Sequence, residues 1–168
     1  TVTVNTGTGD GTIRLNMINS TGITPELATT LPYTSGETIL IDKTPPIGTV
    51  SINNGAAYTN NKSVTLNNTG SDAGGSGNLK MAFSQDGVNY SMDFVFGPSN
   101  IIVLADPDGP KTVYMRLKDG AGNEAVFQDD IILDRIAPET NIVSNPPAVN
   151  NGPDAQFDFS SDDASATF

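Results

Sequence analysis

Two stretches of the chain repeat the same order of residue types. Ile39–Ile52 reads ILIDKTPPIGTVSI and Ile131–Ser144 reads IILDRIAPETNIVS. Both contain an apolar strand, an aspartate, a basic residue, a proline-bearing segment and a second apolar strand, and the aspartates Asp42 and Asp134 lie 92 residues apart. This period fits one small β-sandwich, and proline stops a strand from simply continuing. The repeat predicts a complete domain at 43–134, the closing strands of a preceding domain at 1–42 and the opening strands of a following domain at 135–168.

Alternation of apolar and polar residues between turn residues predicts seven strands in the complete repeat. In chain order they are Thr49–Ile52, Lys62–Asn67, Leu79–Ser84, Tyr90–Phe96, Ile101–Leu104, Lys111–Lys118 and Glu124–Leu133. No long helical stripe appears, and the 17 Gly and 11 Pro are typical of a turn-rich β protein. The predicted fold class is therefore all-β, with immunoglobulin-like β-sandwich repeats in tandem.

The predicted strand YSMDFVF carries a row of large side chains on one face. Tyr90, Met92, Phe94 and Phe96 share that face. A same-face row beside polar alternates is typical of a core, so we interpret these four side chains as buried rather than as a sugar-binding platform.

Charge and residue types exclude several functional classes. The 8 basic and 19 acidic residues give a net charge of −11. This charge argues against binding of nucleic acid or an anionic membrane and favours binding of cations. The chain has no His and no Cys, so Ser-His-Asp, Cys-His and nearly all zinc catalysis are excluded. No apolar run reaches the roughly 18 residues of a membrane span, so we expect no membrane insertion in this segment. The prediction is a protein that is not an enzyme.

Several motifs, in their order and spacing, resemble the immunoglobulin-like repeats found in tandem in large secreted and cell-surface bacterial proteins. The motifs are DKTPP (42–46), YTN (58–60), MAFSQDGVNYS (81–91), KTVYMRLKDGAGN (111–123) and IILDRIAP (131–138). In the preceding repeat, NSTGITPEL (19–27) stands where the complete repeat has the acidic turn KDGAGN (118–123). The resemblance implies an extracellular, non-catalytic link in an array that forms a surface stalk, adhesin shaft or filament, with neighbouring immunoglobulin-like domains as partners.

The segment KDGAGN (118–123) raises the question of a metal ion. If the strands run up and down as predicted, Asp42, Asp72, Asp119 and Asn123 meet at one end of the sandwich. Their oxygens are the hard ligands that Ca²⁺ prefers, so the sequence predicts a calcium site that stiffens the junction with the preceding domain. The alternative is that Asp119 only caps a glycine-rich hairpin. A second, weaker junction would combine Asp134 with Asp162 or Asp163.

Two further functions stay open at this level. The loops could bind a carbohydrate or protein of a cell surface, for which Tyr58 and Tyr33 are the candidate exposed aromatics. The chain could also form a head-to-tail polymer by strand complementation, in which the opening strands after Pro138 pair with the closing strands before Asp42 of another copy. Sequons at Asn19, Asn61, Asn67 and Asn89 are compatible with glycosylation of an exported protein.

Overall fold

A computed structural model describes residues 3–19, 21, 32–149 and 151–162. This part of the chain contains twelve strands. They are β1 (Gly11–Arg14), β2 (Thr38–Ile41), β3 (Ile47–Ile52), β4 (Tyr58–Thr59), β5 (Ser63–Ser71), β6 (Lys80–Ser84), β7 (Phe94–Val95), β8 (Ser99–Val103), β9 (Gly109–Lys118), β10 (Glu124–Leu133), β11 (Thr140–Ser144) and β12 (Asp158–Ser161). The described residues include no helix long and apolar enough to span a membrane.

Strands β3 to β10 form two sheets that face each other. One sheet has the order β3-β5-β8, and the other has the order β4-β10-β9-β6-β7. All pairs are antiparallel except the short β4, which runs parallel to the end of β10. These strand orders place the chain among immunoglobulin-like β-sandwiches, so the predicted fold class is confirmed.

Alternating residues of the two sheets fill the space between them. On β9 the side chains of Val113, Met115 and Leu117 are fully buried, as their alternation predicts. They belong to one cluster with Val50, Ile52, Val64, Leu66, Met81, Leu104, Ile131 and Leu133. Since the cluster draws on both sheets, it holds the sandwich together through burial of apolar surface.

The predicted core role of YSMDFVF is wrong for most of that segment. Only Phe94–Val95 forms a strand, and Met92 is 89% exposed. The Tyr90 ring lies 4.9 Å from the guanidinium carbon of Arg116, and Asp93 Oδ1 lies 2.7 Å from Arg116 Nη2. The outward-facing Arg116 thus holds this segment by a cation–π contact and an ion pair, which override the period-two pattern. Of the four predicted core residues, Phe96 packs against the buried cluster.

Two short hairpins flank the sandwich, each a separate two-stranded sheet. In the first, β1 pairs with β2 and Gly11 lies opposite Ile41. The same relation recurs where β9 pairs with β10, with Gly109 opposite Leu133. The hairpin of β11 and β12 contains a register shift between Ile142 and Ser144. The β1–β2 hairpin therefore matches a closing β9–β10 pair in register, while the domain boundaries themselves stay a prediction.

The core can be tested with two methionines in opposite environments. We expect Met115→Ala to lower the free energy of unfolding by about 2–5 kcal/mol, because Met115 is fully buried and its loss leaves a cavity. Met92→Ala removes the same atoms from an exposed site and should change stability by less than about 0.5 kcal/mol. Urea unfolding followed by tyrosine fluorescence gives both values, and equal losses would contradict the assigned core.

Candidate metal centre

Three aspartates from separate segments converge at one end of the sandwich. Asp42 lies in the linker before β3, Asp72 follows β5 and Asp119 follows β9. One carboxylate oxygen of each lies within 4.8 Å of those of the other two. Asp42 and Asp119 are buried, with 9% and 4% of their surfaces exposed. The predicted convergence of these three acids is confirmed, because β3, β5 and β9 all place an end on this side.

Asp119 organises the turn between β9 and β10. Its Oδ1 accepts the backbone N–H groups of Ala121, Gly122 and Asn123 at 2.9, 2.7 and 2.9 Å. Gly122 has φ of 99°, a conformation that glycine adopts without steric cost. The aspartate is therefore a turn cap, as the alternative interpretation of KDGAGN requires, and it also faces the other two acids.

Asp42 and Asp72 are held by the loop that follows β5. Asp42 Oδ2 accepts the Ser76 N–H at 2.7 Å, and Asp72 Oδ2 accepts the Gly77 N–H at 2.7 Å. Hydrogen bonds from Ser76 are the largest cause that holds the pKa of Asp42 below its ordinary value. A Cβ on Gly75 would clash with Asp72 Oδ1, so glycine is needed for this carboxylate to keep its position.

The two loops that supply Asp72 and Asp119 are joined directly. The Gly120 N–H donates to the Gly77 carbonyl at 2.8 Å, and the Ala121 N–H donates to Ser76 Oγ at 2.8 Å. Sequence reasoning missed Ser76 and Gly77 as holding residues. Their signal is the glycine-rich run GGSG (74–77), which Ala73 separates from Asp72 and where small residues let the backbone approach a carboxylate.

Asn123 lies beside the acids but presents its side-chain nitrogen to them. Its Nδ2 donates to Asp119 Oδ2 at 2.8 Å and to the Asp42 backbone carbonyl at 3.2 Å. Its own backbone carbonyl accepts the Asp119 N–H. In this arrangement Asn123 positions two of the acids, and its predicted role as an oxygen ligand stays a prediction.

The second predicted acid pair is only partly described. Asp134 Oδ1 accepts the Ile136 N–H at 3.0 Å, as Asp42 Oδ1 accepts the Thr44 N–H at 3.2 Å. Asp162 Oδ1 accepts the Glu139 N–H at 2.7 Å. Asp163 lies outside the described residues. Asp134 thus repeats the linker turn of Asp42, and its pairing with Asp162 in a metal site stays a prediction.

An aspartate just before a hairpin accepts the backbone N–H of the basic residue just after that hairpin. We call this contact the clasp, and it occurs twice. Asp10 precedes β1, and its Oδ1 accepts the Lys43 N–H at 2.6 Å. Asp108 precedes β9, and its Oδ2 accepts the Arg135 N–H at 2.9 Å. Thr44 Oγ1 also donates to Asp10. Both linkers thus leave their hairpin with the same hydrogen bond from the basic residue's N–H to an aspartate.

Charged side chains strengthen the second clasp. Arg135 Nε lies 2.6 Å from Asp108 Oδ1, its Nη2 lies 2.9 Å from Asp106 Oδ1, and Lys62 Nζ lies 2.6 Å from Asp106 Oδ2. The pKa of Asp108 is lowered mainly by the backbone hydrogen bond from Arg135. The pKa of Asp106 is lowered mainly by the side-chain hydrogen bond from Lys62. These contacts were not predicted, although the same Asp-Gly pair stands at the start of both hairpins, as Asp10-Gly11 and Asp108-Gly109.

Comparison with solved structures finds a structural likeness. The chain resembles the crystal structure of the PKD1 domain of Vibrio anguillarum Epp with a TM-score of 0.41 and 16% sequence identity. The match covers 55% of this chain and 98% of that domain. At this TM-score the likeness carries no argument about this chain. No protein-family model matches the sequence, and no curated protein sequence matches it.

The clasp should make stability depend on pH through Asp108. A carboxyl whose pKa is lowered in the folded state stabilises the fold above its ordinary value of 3.8, and that contribution is lost as the pH falls through the folded pKa. We therefore expect Asp108→Asn to be less stable than the parent at about pH 7, with a smaller difference at about pH 3. Urea unfolding at both pH values measures the difference in free energy of unfolding. A difference that does not change with pH would contradict the stabilising role of the Asp108 carboxylate.

Proposed function

We propose that this chain is a non-catalytic structural module of an extracellular array, one link of a surface stalk, adhesin shaft or filament. The observation that carries the proposal is the clasp that recurs at two linkers, Asp10 with Lys43 and Asp108 with Arg135. A device that fixes the direction of the chain between β units serves length and stiffness. The excess of acidic residues keeps such an exposed array soluble.

Adjacent linker residues face different units. Lys43 is bound to Asp10, ahead of the β1–β2 hairpin, and the neighbouring Asp42 lies in the acid cluster with Asp72 and Asp119. Anything that fixes Asp42 therefore also fixes the point at which the preceding hairpin is attached. The acid cluster is the place where the stiffness of this junction can be regulated.

A calcium ion is the partner that the acid cluster suits best. Ca²⁺ takes oxygen ligands, and three carboxylates supply both the charge and the atoms for a junction site. A bound cation would offset the mutual repulsion of Asp42, Asp72 and Asp119 in a part of the fold where two of them are buried. Remaining positions would be filled by water, or by the Asn123 carbonyl oxygen after rotation of its side chain.

A head-to-tail polymer is a second candidate, favoured by the apolar surfaces of the flanking hairpins. Ile39 of β2 is 53% exposed and Ile142 of β11 is 60% exposed. Strands equivalent to these pack face to face in the central sandwich, where β3 lies against β10. The same pairing between copies would join them by strand complementation.

A ligand-binding adhesion module is the third candidate. Its supporting observation is the exposure of two aromatic side chains, since Tyr58 is 67% and Tyr33 is 43% exposed. Such rings are suited to stacking on sugars or contacting a protein of a cell surface. Specific retention on a glycan array, lost in Tyr58→Ala, would favour this function over the structural one.

Calcium titration separates the metal site from the plain turn. At about a hundredfold excess over the dissociation constant, binding should raise the free energy of unfolding by about 2.7 kcal/mol. In Asp119→Asn the side-chain oxygen can still cap the turn while one ligand charge is removed, so the fold should persist and the calcium effect should shrink. Asp130→Asn, on β10 away from the cluster, is the matched control and should respond like the parent.

Two outcomes bear against the calcium proposal. If calcium leaves the unfolding midpoint of the parent unchanged, the three acids serve only as turn and loop caps. If Asp130→Asn loses the calcium effect as fully as Asp119→Asn, binding is a diffuse response to net charge. Small-angle scattering with and without calcium then tests stiffness, for which the expected change is a narrower distribution of chain dimensions.

A further inference from the structure

The three-stranded sheet carries no charged side chain. The strands β3, β5 and β8 read IGTVSI, SVTLNNTGS and SNIIV. The opposite sheet bears charges on three of its strands, including Lys80, Arg116 and Asp130. In a chain of net charge −11, this sheet is a surface that a like-charged molecule can approach with little local repulsion.

Strand β8 forms one border of this uncharged sheet and pairs only with β5. The Leu104 N–H donates to the Lys62 carbonyl and the Asn68 N–H donates to the Pro98 carbonyl, so even-numbered residues of β8 face β5. Because hydrogen bonding alternates along an antiparallel strand, the backbone groups of Ser99, Ile101 and Val103 point away from β5. The described part of the chain provides no strand on that side.

The side chains on this border are apolar and do not protect the edge against pairing with another strand. Ile101 is 71% exposed and Val103 is 62% exposed. Edge strands usually carry a charge, a proline or a bulge that prevents pairing, and Ser99–Val103 contains none of these. Only the end of the border is capped, where Gln85 binds the Val103 carbonyl and the Ala105 N–H at 3.0 and 2.8 Å.

The free backbone groups are symmetric about Ile101. An antiparallel copy of β8 placed opposite would pair Ile101 with itself and Ser99 with Val103, which are the three residues whose groups point outward. Each Ile101 would donate to and accept from its counterpart, and each Val103 N–H would donate to the opposite Ser99 carbonyl. The amide of Gln85 lies where the opposite Ser99 N–H would approach the Val103 carbonyl, so pairing requires this exposed side chain to rotate away.

We propose that β8 is a self-complementary edge through which two copies of this chain pair antiparallel. The two three-stranded sheets then become one continuous six-stranded sheet, with the Ile101 side chains adjacent across the two-fold axis. A groove of about 770 Å³ opens between β7 and β8, lined in part by Phe83, Phe94 and Ile102, and pairing closes its mouth. The contact joins arrays side by side and does not depend on the calcium site.

The distribution of charge favours a second copy of this chain as the partner that pairs with β8. The segment from Ser99 to Ala105 is uncharged, and the two charges nearest its ends along the chain and the sheet, Lys62 and Asp106, neutralise each other at 2.6 Å. The acid beside this border, Asp86 in the wall of the groove, is already bound by Ser84 and Asn89, whereas a copy of the same border brings matching apolar residues. Since the rest of each molecule is acidic, pairing should tighten as ionic strength rises and screening shortens the range of repulsion.

Cysteine cross-linking tests the pairing directly, because the chain contains no other Cys. Residues opposite each other in a hydrogen-bonded pair have Cα atoms about 5.5 Å apart, within the range that a disulfide spans. We expect Ile101→Cys to form a covalent dimer under mild oxidation. Ile47→Cys is the matched control, because Ile47 is 68% exposed on the same sheet but lies on β3, and it should remain largely monomeric.

Sedimentation of the full chain supplies the second measurement. The parent should shift towards twice the mass of one chain as concentration and salt increase. Ile101→Pro should abolish this shift, because proline removes an outward N–H that the β5–β8 ladder does not use. Ile101→Lys keeps the N–H and places like charges at the two-fold axis, so it should also abolish the shift, whereas Ile47→Lys should not.

Three results would overturn the proposal. One is a parent chain that keeps the mass of one chain at all concentrations and salt levels. Another is equal cross-linking of Ile101→Cys and Ile47→Cys, which indicates random collision. The third is association that survives in both Ile101→Pro and Ile101→Lys, which assigns it to another surface such as the flanking hairpins.

Discussion

The ten-residue antiparallel pairing of β9 with β10 is the constraint on which the rest of the structure depends. Its inner face supplies Val113, Met115 and Leu117 to the core, and its length carries the chain from one end of the sandwich to the other. Asp119 lies at the turn between the two strands, while Asp108 and Arg135 lie at the open end. One hairpin thus positions both the acid cluster and the linker clasp.

The clasp and the acid cluster act on the same few linker residues from opposite directions. Asp10, before the β1–β2 hairpin, accepts the Lys43 N–H, and the preceding residue Asp42 accepts the Ser76 N–H from the loop after β5. A linker bound on both sides has little freedom to bend, since proline also restricts its backbone. In the proposed array, short polar contacts at the linker would supply the stiffness.

Charge is distributed unequally over the sandwich, and this matters for how molecules meet. Carboxylates concentrate at the ends and on the five-stranded sheet, where many are paired or hydrogen-bonded, for example Asp93 with Arg116 and Asp106 with Lys62. The three-stranded sheet exposes hydroxyl, amide and apolar groups. We therefore expect repulsion between copies at the ends and on the five-stranded sheet, whereas the β8 border carries no charge.

By itself, the sequence determined the repeat, the all-β class, the strands from Lys111 to Leu133 and the meeting of Asp42, Asp72 and Asp119. Alternation and turn residues encode these locally, and an up-and-down order of strands brings those three loops to one end. Only the tertiary structure decided that Tyr90 and Met92 leave the core, because their placement depends on Arg116 across the sheet. It also decided that Asn123 turns its nitrogen to the acids and that β8 is an open edge, since both follow from contacts between residues distant in sequence.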